Sequence, residues 1–218
     1  MKKTTLILTL LLITGVLKSN AQFDKENLSL GGGIAYYRYS SIAAPLSINL
    51  RGNYINNEKT SFVVNFNYHL PFSYEKTYNA NASSSSTTPS FVIVPVKTDI
   101  TMFNLCLTGH YSFIKENEDP FSMYGLGGLG ITFATATPTA ENYDKSIYNL
   151  SNTYTDPESI MGFIIDLGLG VNLCFDKVNV FGEAKIGFPA NKANDTTIEN
   201  PVPFHSVILV GARYSLFN

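Results

Sequence analysis

Leu46-Ser47-Ile48-Asn49-Leu50-Arg51-Gly52-Asn53-Tyr54 decides the fold. Leu46, Ile48, Leu50, Gly52 and Tyr54 fall on one side, and Ser47, Asn49, Arg51 and Asn53 on the other. A period of two is the signature of a β-strand with one apolar and one polar face. The pattern returns at once. Phe62, Val64, Phe66, Tyr68, Leu70 and Phe72 alternate with Val63, Asn65, Asn67 and His69. It returns again from Phe103 to Phe113, from Phe163 to Phe175, from Val178 to Phe188 and from Ile208 to Leu216. Two further segments are less regular. Leu28 to Tyr39 carries Leu28, Leu30, Gly32, Ile34 and Tyr36 on one face. Phe121 to Ala134 contains Gly125, Gly127, Gly128 and Gly130, which leave its facing open and suggest a bulge. The total is eight strands.

The connections fall into two classes. Asn56 to Lys59, Lys115 to Pro120 and Asp176-Lys177 are short and polar. Ser73 to Val96, Pro138 to Glu158 and Ala190 to Pro203 are long and rich in Ser, Thr, Asn and Pro, and the brief Ser40 to Ala44 lies on their side. Short turns at one end and long loops at the other are the pattern of a transmembrane barrel in the outer membrane. The Ser83–Ser86 run with Thr87 and Thr88 reads as a loop tip.

Periodicity alone does not say which face looks inward. A soluble barrel of the lipocalin kind would turn its apolar face in and cover its polar face with Lys and Glu. Here the polar face is mostly Ser, Asn, Thr and Gly, which suits a narrow lumen. The apolar face ends in rings: Tyr54, Tyr111, Phe113, Phe175 and Tyr214 near the short turns, and Phe72, Phe163 and Phe188 near the long loops. Rings at both margins match the interfacial girdles of membrane barrels. The reading is therefore all-β, an eight-stranded antiparallel up-and-down transmembrane β-barrel.

The start of the chain fits export. Lys2 and Lys3 precede an apolar run from Leu6 to Val16, followed by Ser19-Asn20-Ala21. Small residues at 19 and 21 suit signal peptidase. Residues 1–21 are expected to be a cleaved signal peptide and residues 22–218 the barrel domain, beginning at Gln22. The apolar run is shorter than the roughly 20 residues of a spanning helix.

Charge narrows the function classes. The chain has 15 basic and 17 acidic residues, and Lys2, Lys3 and Lys18 belong to the leader, so the remainder is clearly acidic. That argues against nucleic acid, which needs clustered cations. Charged residues make up 15% of the chain, against about 25% in soluble domains. Cys106 and Cys174 match no metal motif and read as small buried residues. No cofactor is expected.

Three stretches carry a family resemblance: Gly211 to Asn218 at the end, Tyr124-Gly125-Leu126-Gly127-Gly128-Leu129-Gly130, and Phe181-Gly182-Glu183-Ala184-Lys185. The sequence resembles the small OmpA/OmpX-type outer-membrane barrels of Gram-negative bacteria over essentially its whole length after the leader. In that family the last strand tends to place Tyr two positions before a terminal Phe; here Tyr214 and Leu216 take those places, and Phe217-Asn218 follow. The resemblance implies a cell outer-membrane location with lipid and lipopolysaccharide as surroundings. It implies recognition of the C-terminal strand by the barrel-assembly machinery, and long loops that meet an extracellular protein or surface ligand.

An eight-stranded barrel has room inside only for side chains. Arg51, Asp166, Glu183, Lys185 and Arg213 are expected to point into it as a lumen charge network, since unpaired buried charges are costly. Glu183 is the expected shared carboxylate for Lys185, Arg213 or Arg51, the last having to reach across the barrel. Phe91-Val92-Ile93-Val94 is a candidate loop contact. It either packs on its own barrel or extends the fourth strand above the membrane, with Pro95 as a bend and an exposed edge for partner strands. His110-Tyr111-Ser112 has the spacing of a lipid-deacylase pair. Its polar members, however, face the lumen at the short-turn end, far from the outer leaflet. The function expected is a non-enzymatic barrel with a structural or surface-binding role. A narrow porin-like channel is the alternative, and a lipid-modifying enzyme or lipocalin-like binder lies further off.

Overall fold

The computed structural model describes residues 28–39, 45–113, 120–151, 154–190 and 204–216. The expected leader, the Ser40–Ala44 connection, most of Lys115–Pro120 and of Ala190–Pro203, and Phe217-Asn218 lie outside the described residues.

Eight long strands form the barrel: β1 (Leu28–Tyr39), β2 (Leu46–Ile55), β3 (Thr60–Ala82), β4 (Phe91–Ser112), β5 (Phe121–Ala140), β7 (Glu158–Phe175), β8 (Val178–Pro189) and β9 (His205–Ser215). A two-residue strand, β6 (Tyr148–Asn149), pairs with the far end of β3. Every long strand pairs antiparallel with its neighbours in the chain, and β9 returns to β1 from Ser29↔Ser215 to Tyr39↔His205, which closes the cylinder.

The facing is the inverted one. Leu50, Leu167 and Val210 are 58%, 53% and 57% exposed, whereas Arg51, between its outward neighbours, is 3% exposed. Such a surface is stable only where apolar chains surround it, so the exterior is a lipid-facing belt. Rings mark its margins. Phe66, Phe103 and Phe133 stack across β3, β4 and β5 toward the loop end, with centroids 5.9 and 4.9 Å apart. Tyr111 meets Phe113 edge-on at the turn end, where Phe175 and Tyr214 are also exposed.

Four sequence expectations need correction. The first is Ser73–Val96, which is strand for most of its length. β3 runs to Ala82 and β4 begins at Phe91, so a long hairpin stands beyond the belt, with Ser83–Ser90 as its tip. Outward Ser73, Thr77, Asn79 and Asn81 hide the strand signal, because beyond the lipid nothing requires that face to be apolar. Similarly, β5 continues to Ala140.

The second concerns Phe72. The β3–β4 register shifts between His69 and Phe72, so Leu70 and Pro71 occupy a bulge. One extra residue turns a strand over. Below the bulge odd-numbered residues of β3 face inward; above it Phe72 and Tyr74 do, packing against the buried lumen cluster. Phe72 is therefore not part of the outer girdle.

The third concerns Pro95, which makes no bend: Thr77↔Pro95 and Lys76↔Val96 are ordinary steps of the ladder. Its carbonyl accepts from Glu141 N at 2.9 Å, so its own nitrogen points away from β3 and no ladder bond is lost.

The last concerns the glycine-rich strand, which contains no bulge. β5 pairs with β4 without interruption from Val96↔Ala140 to Ser112↔Tyr124. Ser122, Tyr124 and Leu126 face in, and Met123, Leu129 and Phe133 face out.

Candidate functional site

Two regions have the chemistry to act: the lumen and the hairpin beyond the membrane.

The lumen is built by the inward face of every strand, and its middle is organised on Glu183 of β8. Arg51 of β2 reaches across and grips it in a fork, Nη1 to Oε1 at 2.8 Å and Nη2 to Oε2 at 2.9 Å. Arg51 Nε and Nη2 also donate to Asn65 Oδ1 at 3.1 and 2.9 Å, and the guanidinium lies 3.9 Å over the Phe181 ring. Lys185 Nζ is 3.4 Å from Oε2, and the Tyr124 hydroxyl donates to Oε1 at 3.0 Å. His110 stacks on Tyr124, with ring centroids 4.6 Å apart, and places Nε2 4.0 Å from Oε1. A forked, charge-assisted pair with its remaining lone pairs satisfied is the geometry in which a buried ion pair holds.

Room for these side chains comes from glycines on neighbouring strands. A Cβ on Gly170 would collide with the Tyr124 ring, and one on Gly211 would lie 2.5 Å from Cζ of Phe181.

The five charged residues expected in the lumen are all buried, but they do not form one cluster. Arg51, Glu183 and Lys185 come together. Arg213 lies at the turn end, where it lines a cavity of about 20 Å³, room for one water, with Asn53, His110, Tyr124 and Asn172. Asp166 stands apart, its Oδ1 4.0 Å from His205 Nε2. His110 and Ser112 of the deacylase-like spacing sit on this same turn-end cavity.

Sequence reasoning expected polar filling throughout. Toward the loop end the lumen is instead apolar and aromatic: Tyr37, Tyr39, Ile100, Met102, Val207 and Leu209 are buried together, capped by Phe72 and Tyr74. His69 and His205 are fully buried among these rings. The missed residues are Tyr124, His69 and His205, whereas His110 stands in the lumen at the short-turn end as expected. Alternation already put His69 and His110 on inward faces, but Tyr124 was hidden in the glycine run.

The second region is the hairpin. Above the belt, Ala80, Val94, Val96, Tyr148 and Leu150 form a separate buried cluster, with Tyr78, Val92, Tyr143 and Tyr154 against it. Asp144 starts the turn that delivers β6: its Oδ1 accepts from Ser146 N at 3.0 Å and from Ser146 Oγ at 2.6 Å, and its carbonyl accepts from Tyr148 N at 2.9 Å. Tyr78 and Tyr154 stack with centroids 4.1 Å apart. The candidate contact Phe91–Val94 is split by this packing. Val94 and Val92 turn into the cluster, while Phe91 and Ile93 stay 47% and 64% exposed. Beyond Val96 the ladder between β4 and β5 has ended, so β3 alone pairs with these four residues.

No family model matches the sequence, and no curated protein matches it either. Solved structures do share the fold. The chain is similar to Neisserial surface protein A at 14% identity, with a TM-score of 0.53 over 87% of this chain and 96% of that one. It is similar to a major outer membrane protein of Thermus thermophilus at 10% identity, with a TM-score of 0.54 over 86% of this chain and 98% of that one. The chain has the fold of the small eight-stranded outer-membrane barrels, and with its apolar belt turned outward it is built for the outer membrane.

Proposed function

We propose that this chain, built on the fold of the small outer-membrane barrels, is an integral outer-membrane protein without catalytic activity that acts through its extracellular hairpin, in a structural or surface-binding role. The observation that carries this reading is the second cluster around Ala80, Val94 and Tyr148. A loop with no task beyond joining two strands needs no core of its own. Here the upper parts of both strands continue past the lipid belt and are stiffened by packing, which presents their outer face with little entropy to lose on binding. That face offers Phe91, Ile93 and Ile147 beside Asn79, Asn81 and Asn149. Tyr, Ser and Asn around a rigid scaffold are the usual makings of a recognition surface. Export by the leader at residues 1–21, assembly through β9 and contact with lipopolysaccharide belong to the same reading.

The test is a hairpin truncation that joins Lys76 to Val96 through a tight turn. Cells carrying it should assemble the barrel normally, judged by heat-modifiable gel mobility of outer membranes. They should lose retention on surfaces coated with serum protein or polysaccharide, relative to cells carrying the full chain. Equal retention by the two would defeat the surface-binding reading. The narrow-channel alternative draws on the lumen charges, and single-channel recording of refolded protein separates it.

A further inference from the structure

The apolar stretch of the lumen lies toward the loop end from the Glu183 cluster, and the Phe181 ring, over which Arg51 lies, belongs to it. Within it stand two histidines, 0% and 1% exposed. His69 of β3 has its Nδ1 2.7 Å from Ser47 Oγ and its ring 4.4 Å from Tyr37, edge-on, while its Nε2 has no hydrogen-bond partner. His205 of β9 lies 5.6 Å from Tyr37 and 5.2 Å from Tyr39, ring to ring. Its imidazole fills space that a side chain at Gly187 would take. Beside His205 stands Asp166, 95% buried, whose Oδ1 makes no hydrogen bond and lies 4.0 Å from His205 Nε2.

We propose that this layer is a proton-operated closure of the lumen, in series with the Glu183 cluster and independent of it. With both imidazoles uncharged, they pack among Tyr37, Tyr39 and Met102 as part of an apolar plug. The two sites differ in what a proton meets. On His205 it faces Asp166, so the pair tightens. On His69 it faces Ser47, the side-chain amide of Asn104 and a second imidazole, which offer hydrogen bonds but no counter-charge, and no carboxylate lies within 4.0 Å among the described residues. A charge so placed is relieved by drawing water into the layer. The remaining groups do not cancel it. β1 brings Tyr37 and Tyr39, and β4 brings Cys106, hydrogen-bonded to Asp166. β8 brings Lys185, already on Glu183, and β3 brings Tyr74 with Lys76 above it. The inward residues of β2 and β5 here are Ser47, Thr132, Ala134 and Ala136, and none of them titrates.

Cys106, 3% exposed in this layer, is a built-in reporter of water entry. In a Cys174→Ser background, refolded protein is labelled with 4,4′-dithiodipyridine, which reacts with thiols in acid as well as at neutrality. The rate relative to free cysteine should rise about tenfold or more between about pH 7.5 and pH 4.5, as a minor open state becomes populated. In Glu183→Gln, whose own closure is loosened, open probability in planar bilayers should rise over the same range. His69→Gln should abolish the labelling rise, and in the Glu183→Gln background the conductance rise, while Glu183→Gln alone should leave the pH dependence in place and the lumen closed at neutrality. A flat response in wild type, an unchanged response in His69→Gln, or a conducting Glu183→Gln at neutral pH would each overturn the proposal. So would loss of the far-UV β-sheet signal over the same range. Should His69→Gln fail to assemble, the wild-type labelling and the Glu183→Gln recording still decide it.

Discussion

Arg51 of β2 and Glu183 of β8, 132 residues apart in sequence, meet across the barrel in a two-point ion pair with contacts of 2.8 and 2.9 Å. Both side chains are withdrawn from solvent, so breaking one side strands the other in a narrow space. Glu183→Gln leaves Arg51 facing Lys185, and the loss should be about 3–5 kcal/mol, less as water enters. Urea unfolding in lipid vesicles should show a clearly lower midpoint. Arg51→Met with Glu183→Met, which removes both charges, should recover much of that loss; recovery of none would mean that the hydrogen bonds to Asn65 and Tyr124 matter more than the pair.

The outward facing of β7 gives a second expectation. Leu167→Arg puts a charge on the lipid-facing belt near its middle and should destabilise the barrel by about 2–4 kcal/mol. Thr137→Arg, also outward but beyond the Phe133 ring, should be almost neutral. Equal losses in refolding yield and urea midpoint at the two sites would contradict the placement of the belt.

Gly170 owes its identity to Tyr124. Gly170→Ala drives a methyl group into the phenol ring, and the strain should amount to about 1–3 kcal/mol. Since the ring is held by Glu183 and His110, it has little freedom to yield. Adding Tyr124→Ala should relieve the clash, which a double-mutant cycle on unfolding midpoints would register as a coupling between the two sites.

The bulge at Leu70-Pro71 makes a prediction about accessibility. Ser73→Cys should react on whole cells with a maleimide that does not cross membranes, and Phe72→Cys should not. Deleting Pro71 removes the extra residue but keeps Phe72 opposite Ile100 and Ser73 opposite Asp99, so the two results should stay as they are. Labelling of both positions in the intact chain would place the turnover elsewhere.

Much of this architecture is legible in particular residues. Leu46 to Tyr54 states the strand period, and its Asn and Ser alternation states which face is inside, because water would call for Lys and Glu there. That reading extends as far as the lipid does. Past Phe103 the outward residues are Thr101, Asp99 and Lys97, the apolar half of the pattern disappears, and the upper halves of β3 and β4 resemble loop. The inward placement of the five charged residues is equally a matter of parity. Their partners are not, since parity says nothing about which strands face each other across a closed cylinder.

By itself the sequence determined the strand number, the closed antiparallel order, the lipid-facing exterior and the set of charges within. These follow from short-range regularities: a two-residue period, turn lengths and the company each polar residue keeps. Only the tertiary structure decided that Arg51 rather than Arg213 holds Glu183, that Phe72 turns inward and that Tyr124 closes over Gly170. The same holds for the two histidines within an apolar plug beside Asp166. Those outcomes depend on strand tilt, on one extra residue in one strand and on which inward positions lack a side chain. Each is a distance between residues far apart in the chain, set when the sheet curls shut.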